Sequence, residues 1–350
     1  MADPWLATRE AVKAAVQIKE TARADRQIDI ALGSASRTVE GQMHRRFRPL
    51  VDTKQVAYPS RNPGQRSWRL WLDQHDLISI TTLTSGGTTI PATDYYLEPQ
   101  ASGPPYTELQ IDLGSSSSFT AGDSWQRSIT IDGLWGHSDQ SRPAGALAAP
   151  ITDTTTTTIT VTDGSLVGVG DILQTGGERF NVIERAWVDT GETVTAPVQS
   201  SVGERTVTVS DGTAFAADEQ IQINAETMTI TAILGNDLIV RRAVDGSTVA
   251  AHAATDPVWA SRDLTVERGA LGTTAATHLI GAALTAHVVP SPVEQLVIAQ
   301  AQVNLGQSRA GWNKTSGAGD TKQDMDGGGL AGLYTQTYRG YGRKARIRAV

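Results

Sequence analysis

The sequence predicts an α+β protein: a helical core with a β-hairpin and strand region, plus an inserted all-β region of two nested small sandwiches or barrels. Three observations lead there. Apolar residues recur at three- and four-residue steps near both ends of the chain, a period-two pattern runs from Lys54 to Gly136, and roughly 150 Thr/Val/Gly-rich residues separate that pattern from the next helical one. The division that follows is a core of residues 1–143 with 290–310, an insertion of 144–289 and an extended C-terminal tail of 307–350.

Composition sets limits. The 350 residues, 39 % of them hydrophobic, suffice for two or three packed domains. There is no run of eighteen apolar residues, and Met1 to Leu6 lacks the basic-then-apolar order of a signal peptide, so assembly in the cytosol is expected. With no cysteine, disulfides and Cys-ligated metals are excluded. The net charge of −7 is uneven: residues 144–290 hold 17 acids and 7 bases, and the flanks are mildly basic. An acidic middle keeps a β-rich surface soluble and does not by itself indicate nucleic acid or membrane.

Asp3-Pro4 is an N-cap and first-turn pair, opening a helix over 4–20. A second helix, 25–46, places Ile28, Ala31, Leu32, Ala35, Val39 and Met43 on one face. It ends in the basic run His44-Arg45-Arg46-Phe47-Arg48, which suits the negative end of the helix dipole, a nucleic-acid contact being the alternative. Strands within 54–133 follow, around Gln55, Trp68 to Leu72, Leu77 to Ile80, Asp94 to Leu97, Glu108 to Leu113 and Ser128 to Gly133. Alternation puts Leu109, Ile111 and Leu113 on one face, with Ile129 and Ile131 opposite. A third helix, 291–306, starts with the capping-box residues Ser291, Pro292 and Glu294.

The order of these pieces resembles the head-to-tail connector, or adaptor, proteins of long-tailed bacteriophages. It is carried by Arg46-Phe47 after a helix, Asp94-Tyr95, Pro105-Tyr106, Ile131 and Gly133 in Ile-Thr-Ile-Asp-Gly, and Trp135-Gly136. In that family a proline-led helix follows the Trp-Gly within a few residues, whereas here it waits until Pro292, so the intervening stretch reads as an insertion. The resemblance implies a helical connector core in a structural virion protein of the head-tail neck, assembled in the host cytoplasm. It implies a ring, usually of twelve copies, seated under the portal protein, contacting a stopper or tail-side connector, and passing packaged DNA without sequence-specific binding. Neither membrane, cofactor nor enzymatic activity is expected.

Within the insertion, Val161-Thr162-Asp163-Gly164 matches Val209-Ser210-Asp211-Gly212, and Glu178, Phe180 and Val182 match Glu226, Met228 and Ile230, all 48 residues apart. Leu238 to Arg242 match Leu264 to Arg268, and His252 matches His278, 26 residues apart. Front halves thus pair with front halves and an inner back half with an outer one, so one unit (196–260) nests in a loop of the other (151–195 with 261–289). A loop between adjacent strands tolerates a whole domain because its ends are already close.

The chemistry-bearing residues read as structural. His252 and His278, at equivalent repeat positions, suit loop-anchoring hydrogen bonds rather than a metal site, and Asp163 and Asp211 suit turns rather than calcium. No nucleophile-elbow, phosphate-loop or dinucleotide motif occurs. A carbohydrate-binding or hydrolytic β protein stays open for the Thr-rich units. The tail interleaves Tyr334, Tyr338 and Tyr341 with Arg339, Arg343, Lys344, Arg346 and Arg348. That composition fits docking to the portal, as the resemblance implies, or a DNA-binding module.

Overall fold

The computed structural model describes residues 4–16, 25–58, 67–72, 75–309, 315–316, 323–324 and 329–344. Among the described residues strand exceeds helix, 37 % to 24 %, so the expected helical core is overturned: the fold there is mainly antiparallel β with four helices. The period-two stretch, expected as the strand region of that core, is itself a two-sheet body, and its alternating Leu and Ile faces make the core there. The helices are α1 (Arg9–Val16), α2 (Asp25–Met43), α3 (Ser291–Arg309) and α4 (Leu330–Tyr341). Two compact bodies are present. The larger takes in Met1–Arg37, Ser141–Ala270 and Thr274–Tyr334; the smaller takes in Thr38–Gln140, Leu271–Thr273 and Thr335–Val350.

The smaller body has strands β1 (Leu50–Val56), β2 (Arg69–Trp71), β3 (Leu77–Ser85), β4 (Thr88–Thr89), β5 (Tyr95–Glu98), β6 (Glu108–Ile111) and β7 (Ile129–Trp135). One sheet has the order β1-β7-β3-β4 and the other β2-β6-β5. Leu70, Leu83, Leu109, Ile111, Ile129 and Ile131 fill the space between them. β7 is central because its burial alternates without a break and its neighbours pair along its whole length. Leu113 departs from expectation: β6 ends at Ile111, and Leu113 is 72 % exposed.

The larger body is built on β8 (Ser141–Ala146), β9 (Thr158–Thr160), β10 (Ile172–Thr175), β11 (Glu178–Thr193) and β12 (Thr206–Thr208). It continues through β13 (Gln220–Ile223), β14 (Glu226–Leu234), β15 (Asp237–Arg241), β16 (Pro257–Glu267) and β17 (Ala283–His287). These form two closed six-stranded barrels. The outer one runs β8-β17-β10-β11-β16-β9 and closes through the Leu147–Val161 bridge, with Ala148 N–H donating to Thr160 O at 2.8 Å. The nested one runs β11-β16-β13-β14-β15-β12 and closes through the Val194–Val209 bridge, with Thr195 N–H donating to Thr208 O at 2.8 Å. Each has its own apolar interior, Phe180 and Leu264 in one, Met228 and Leu238 in the other.

β11 and β16 run through both barrels. Their pairing shifts register between Ala186 and Val188, where the outer barrel hands over to the nested one. The barrels therefore meet inside continuous strands, and the second half of β11 belongs to the nested barrel rather than to the outer unit of the sequence reading. Closure abolishes most sheet edges here. The whole assembly occupies the chain between β7 and α3.

Candidate functional site

Each barrel holds one interior carboxylate gripped by an arginine and a histidine. In the nested barrel Arg242 donates to Glu226 from Nε (2.9 Å) and Nη2 (2.6 Å). Ala250 N–H (2.8 Å), Ala243 N–H (3.2 Å) and His252 Nε2 (3.0 Å) complete the set. In the outer barrel Arg268 donates to Glu178 from Nε (2.6 Å) and Nη2 (2.9 Å), joined by Ala276 N–H (2.8 Å), Gly269 N–H (3.1 Å) and His278 Nε2 (2.8 Å). A carboxylate only accepts, so both imidazoles carry their proton on Nε2.

Burial alone would push the Glu178 carboxyl up; the hydrogen bonds from Arg268, Ala276, His278 and Gly269 outweigh it and hold it at about 2. Glu226 is held low by the same balance. With five donors around each carboxylate, neither is poised to accept a proton at neutral pH, and the clusters act as clamps. Each arginine also ties loop carbonyls: Arg268 Nη1 reaches Thr156 O at 2.9 Å, and Arg242 Nη1 reaches Gln199 O at 2.6 Å. The repeats exposed these residues in sequence; nothing local showed that they meet. Asp163 and Asp211 each open a 3-10 turn, accepting from Ser165 N–H (2.8 Å) and Thr213 N–H (2.9 Å).

The barrels are joined by a third carboxylate. Glu219, fully buried, accepts from Arg262 Nε (2.6 Å) and Nη2 (2.8 Å) and from Gly164 N–H (3.1 Å) across the junction. α1 lies over a polar cleft of about 410 Å³ lined by Arg9, Glu10, Lys13, Glu184, Arg185 and Asp245 among others. Arg9 pairs with Asp29 (2.8 Å) and Glu184 (2.8 Å), and Lys13 with Asp25 (2.7 Å) and Asp245 (3.0 Å). Glu184 lies in the outer barrel and Asp245 in the nested one, so α1 straps the two together. Burial pushes the Glu10 carboxyl up, with Arg185 opposing.

The residues that carried the family resemblance serve the smaller body's packing. Phe47 is fully buried, its N–H donating to Glu40 Oε1 at 3.1 Å, and Arg46 O accepts from His137 N–H at 2.9 Å. Asp94 accepts from Ser117 Oγ at 2.7 Å, and Tyr95 pairs with Ile111. Pro105 sits in the turn before Tyr106, which exchanges backbone bonds with Leu77. Ile131 is buried in β7, and Trp135 Nε1 donates to Asp52 O at 2.9 Å. Gly133 has no room for a side chain, because an added Cβ would lie 2.3 Å from Ser79 O; Gly136 has φ 145° and presses on Arg48 O.

The stretch expected to be an extended tail contains a helix. Residues 330–341 form α4 because Leu330, Leu333, Tyr334, Thr337 and Tyr341 share a face. In the larger body Tyr334 Oη bonds Gln300 Oε1 at 3.3 Å. In the smaller, Tyr341 stacks edge-on against His137 at 5.7 Å, and Arg343 pairs with the buried Asp76 at 2.8 Å beside Arg45 at 3.2 Å. Arg343 N–H also donates to Met43 O at 3.0 Å, satisfying a terminal carbonyl of α2. Tyr338, Arg339 and Lys344 are exposed; Arg346 and Arg348 lie outside the described residues. Within the described residues the predicted docking set is thus split between anchors, Tyr334, Tyr341 and Arg343, and an outward group.

No family model, no curated protein and no solved structure matches this chain.

Proposed function

We propose that this chain is a structural head-to-tail adaptor of a tailed phage, assembling as a ring between portal and the next connector and lining the DNA passage. The observation that carries the reading is the discontinuous organisation of the chain. β7 ends at Trp135, just before Gly136, α3 begins at Ser291-Pro292, and a pair of clamped barrels fills the interval. This is the arrangement expected of an adaptor with an insertion at that point, although the body preceding it is built from sheets. The buried carboxylates support a scaffold, since their acceptor positions are filled from within. Tyr338, Arg339 and Lys344, exposed at the end of α4, offer the basic and aromatic surface for portal docking.

The test is purification with the portal protein of the same virus, followed by electron microscopy. A ring stacked on the portal is the expected result. A chain that stays monomeric beside an intact portal, or that binds duplex DNA with a steep salt dependence instead, overturns the reading.

A further inference from the structure

β5 is the outermost strand of the β2-β6-β5 sheet. In an antiparallel ladder alternate residues bond the same neighbour. Asp112 N–H donates to Asp94 O at 2.9 Å, so Asp94, Tyr96 and Glu98 direct their backbone groups toward β6. Tyr95 and Leu97 direct theirs outward, and among the described residues no strand pairs with that side. An unpaired row of this kind is a template for another strand. Turns at Ala92–Asp94 and Gln100–Ser102 confine it to four residues. The outward side of β1 is different, as Gly272 packs so close to Val51 O that an added Cβ would lie 2.1 Å from it.

The two faces beside this edge ask for a definite sequence. On one stand Glu98 and Tyr96, which is 45 % exposed, its hydroxyl 3.2 Å from Asp112 Oδ2; Glu108 and Gln110 lie alongside. Glu108 is buried and already paired with Arg69, so Glu98 beside the Tyr96 ring is what this face offers a cation. On the other, Tyr95 and Leu97 are partly buried against the apolar core. A fitting strand alternates basic and apolar residues. Residues 345–350 read Ala-Arg-Ile-Arg-Ala-Val, which puts Arg346 and Arg348 on one side and Ile347 on the other.

We propose that residues 345–350 of one copy add as a fourth strand to the free edge of β5 in a neighbouring copy. Donor and acceptor are different patches of the same chain, so the contact is heterologous, and repetition by rotation closes a ring. The inference rests on the adaptor reading and supplies its subunit contact. Main-chain bonds give affinity, while Glu98 and Tyr96 opposite the arginines fix the register. Many such contacts around a ring reinforce one another.

Because the chain has no cysteine, the test is direct. Full-length Leu97→Cys carrying one tag is mixed with Ile347→Cys carrying another and oxidised; Tyr96→Cys with Arg348→Cys is a second pair on the other face. A disulfide-linked species bearing both tags is expected. Arg346→Glu with Arg348→Glu should weaken assembly about tenfold, roughly 1.4 kcal/mol per contact, and Glu98→Lys should restore much of it. Rings without either crosslink overturn the strand exchange and leave the adaptor reading standing. A crosslink formed only within a doubly substituted single chain overturns exchange between copies. A chain that never assembles beside its portal takes down both.

Discussion

Glu226 and Arg242 form a bidentate ion pair in the nested barrel with both side chains fully buried. Removing one partner leaves an uncompensated interior charge, while replacing both removes the desolvation cost as well. Glu226→Ala should therefore cost about 3–5 kcal/mol of stability, and Glu226→Leu with Arg242→Met together should cost less than the single change. Urea unfolding of the three proteins decides it; a double variant weaker than Glu226→Ala would show that the loop carbonyls held by Arg242 matter more than the charge.

Acid should open the barrels in a defined window. The Glu178 carboxyl is held at about 2 against an ordinary 4.5. A depressed carboxyl contributes stability that is fully present above the unfolded value and is lost as pH falls through the folded one. Stability should thus be flat above about pH 5 and fall between there and about pH 2. Circular dichroism against pH checks this, and Glu178→Gln should flatten the slope.

Gly164 and Gly212 are equivalent positions, each pressed on a carbonyl. An added Cβ would lie 2.2 Å from Ser261 O at the first and 2.0 Å from Gly235 O at the second. Backbone cannot swing aside as a side chain can, so Gly164→Ala and Gly212→Ala should each cost about 1–3 kcal/mol. Gly177→Ala, where nothing stands within 4 Å, is the control. Thermal melts of the three separate steric from propensity effects.

Salt should loosen the strap. Arg9 is nearly buried but Glu184 is half exposed, so screening reaches part of the network. Arg9→Ala should destabilise the larger body by about 1–3 kcal/mol. The loss should shrink in about 1 M salt, where these pairs are already weakened. Limited proteolysis at α1 in low and high salt reads it out.

Arg343→Ala should release the end of α4 without unfolding the sheets, since its partner Asp76 keeps Arg45. Amide exchange at Gly342 and Arg343 should quicken about tenfold or more, with β7 unchanged.

The repeat was legible because a clamp needs the same chemistry at the same place: Glu178 and Glu226, Arg268 and Arg242, His278 and His252 survive as identities while the surrounding strands drift. The sheet body is faint in the sequence because β2, β4, β5 and β6 are short, whereas Ile28 to Met43 carry a clear helical period. The barrel boundary is not legible in the sequence because a strand running through two barrels alternates in neither: β11 is fully buried from Glu178 to Val182 and mixed afterwards. α4 was hidden by composition, since Thr337 is its one fully buried residue and the rest of its inner face is tyrosine and leucine half in water. Glu219 with Arg262 had no repeat partner to reveal it, Asp171 and Asn236 standing at the matching positions.

The shared strands also set an order of folding. Synthesis delivers β8 to β10 and the first half of β11, then every strand of the nested barrel, and only afterwards the strands that complete the outer one. Bringing Ala186 and Asp263 together across a disordered loop carries an entropic cost, and a nested barrel that has already closed removes it. The outer barrel should thus form late and conditionally, and a lesion such as Glu226→Ala should slow the maturation of a barrel that does not contain it.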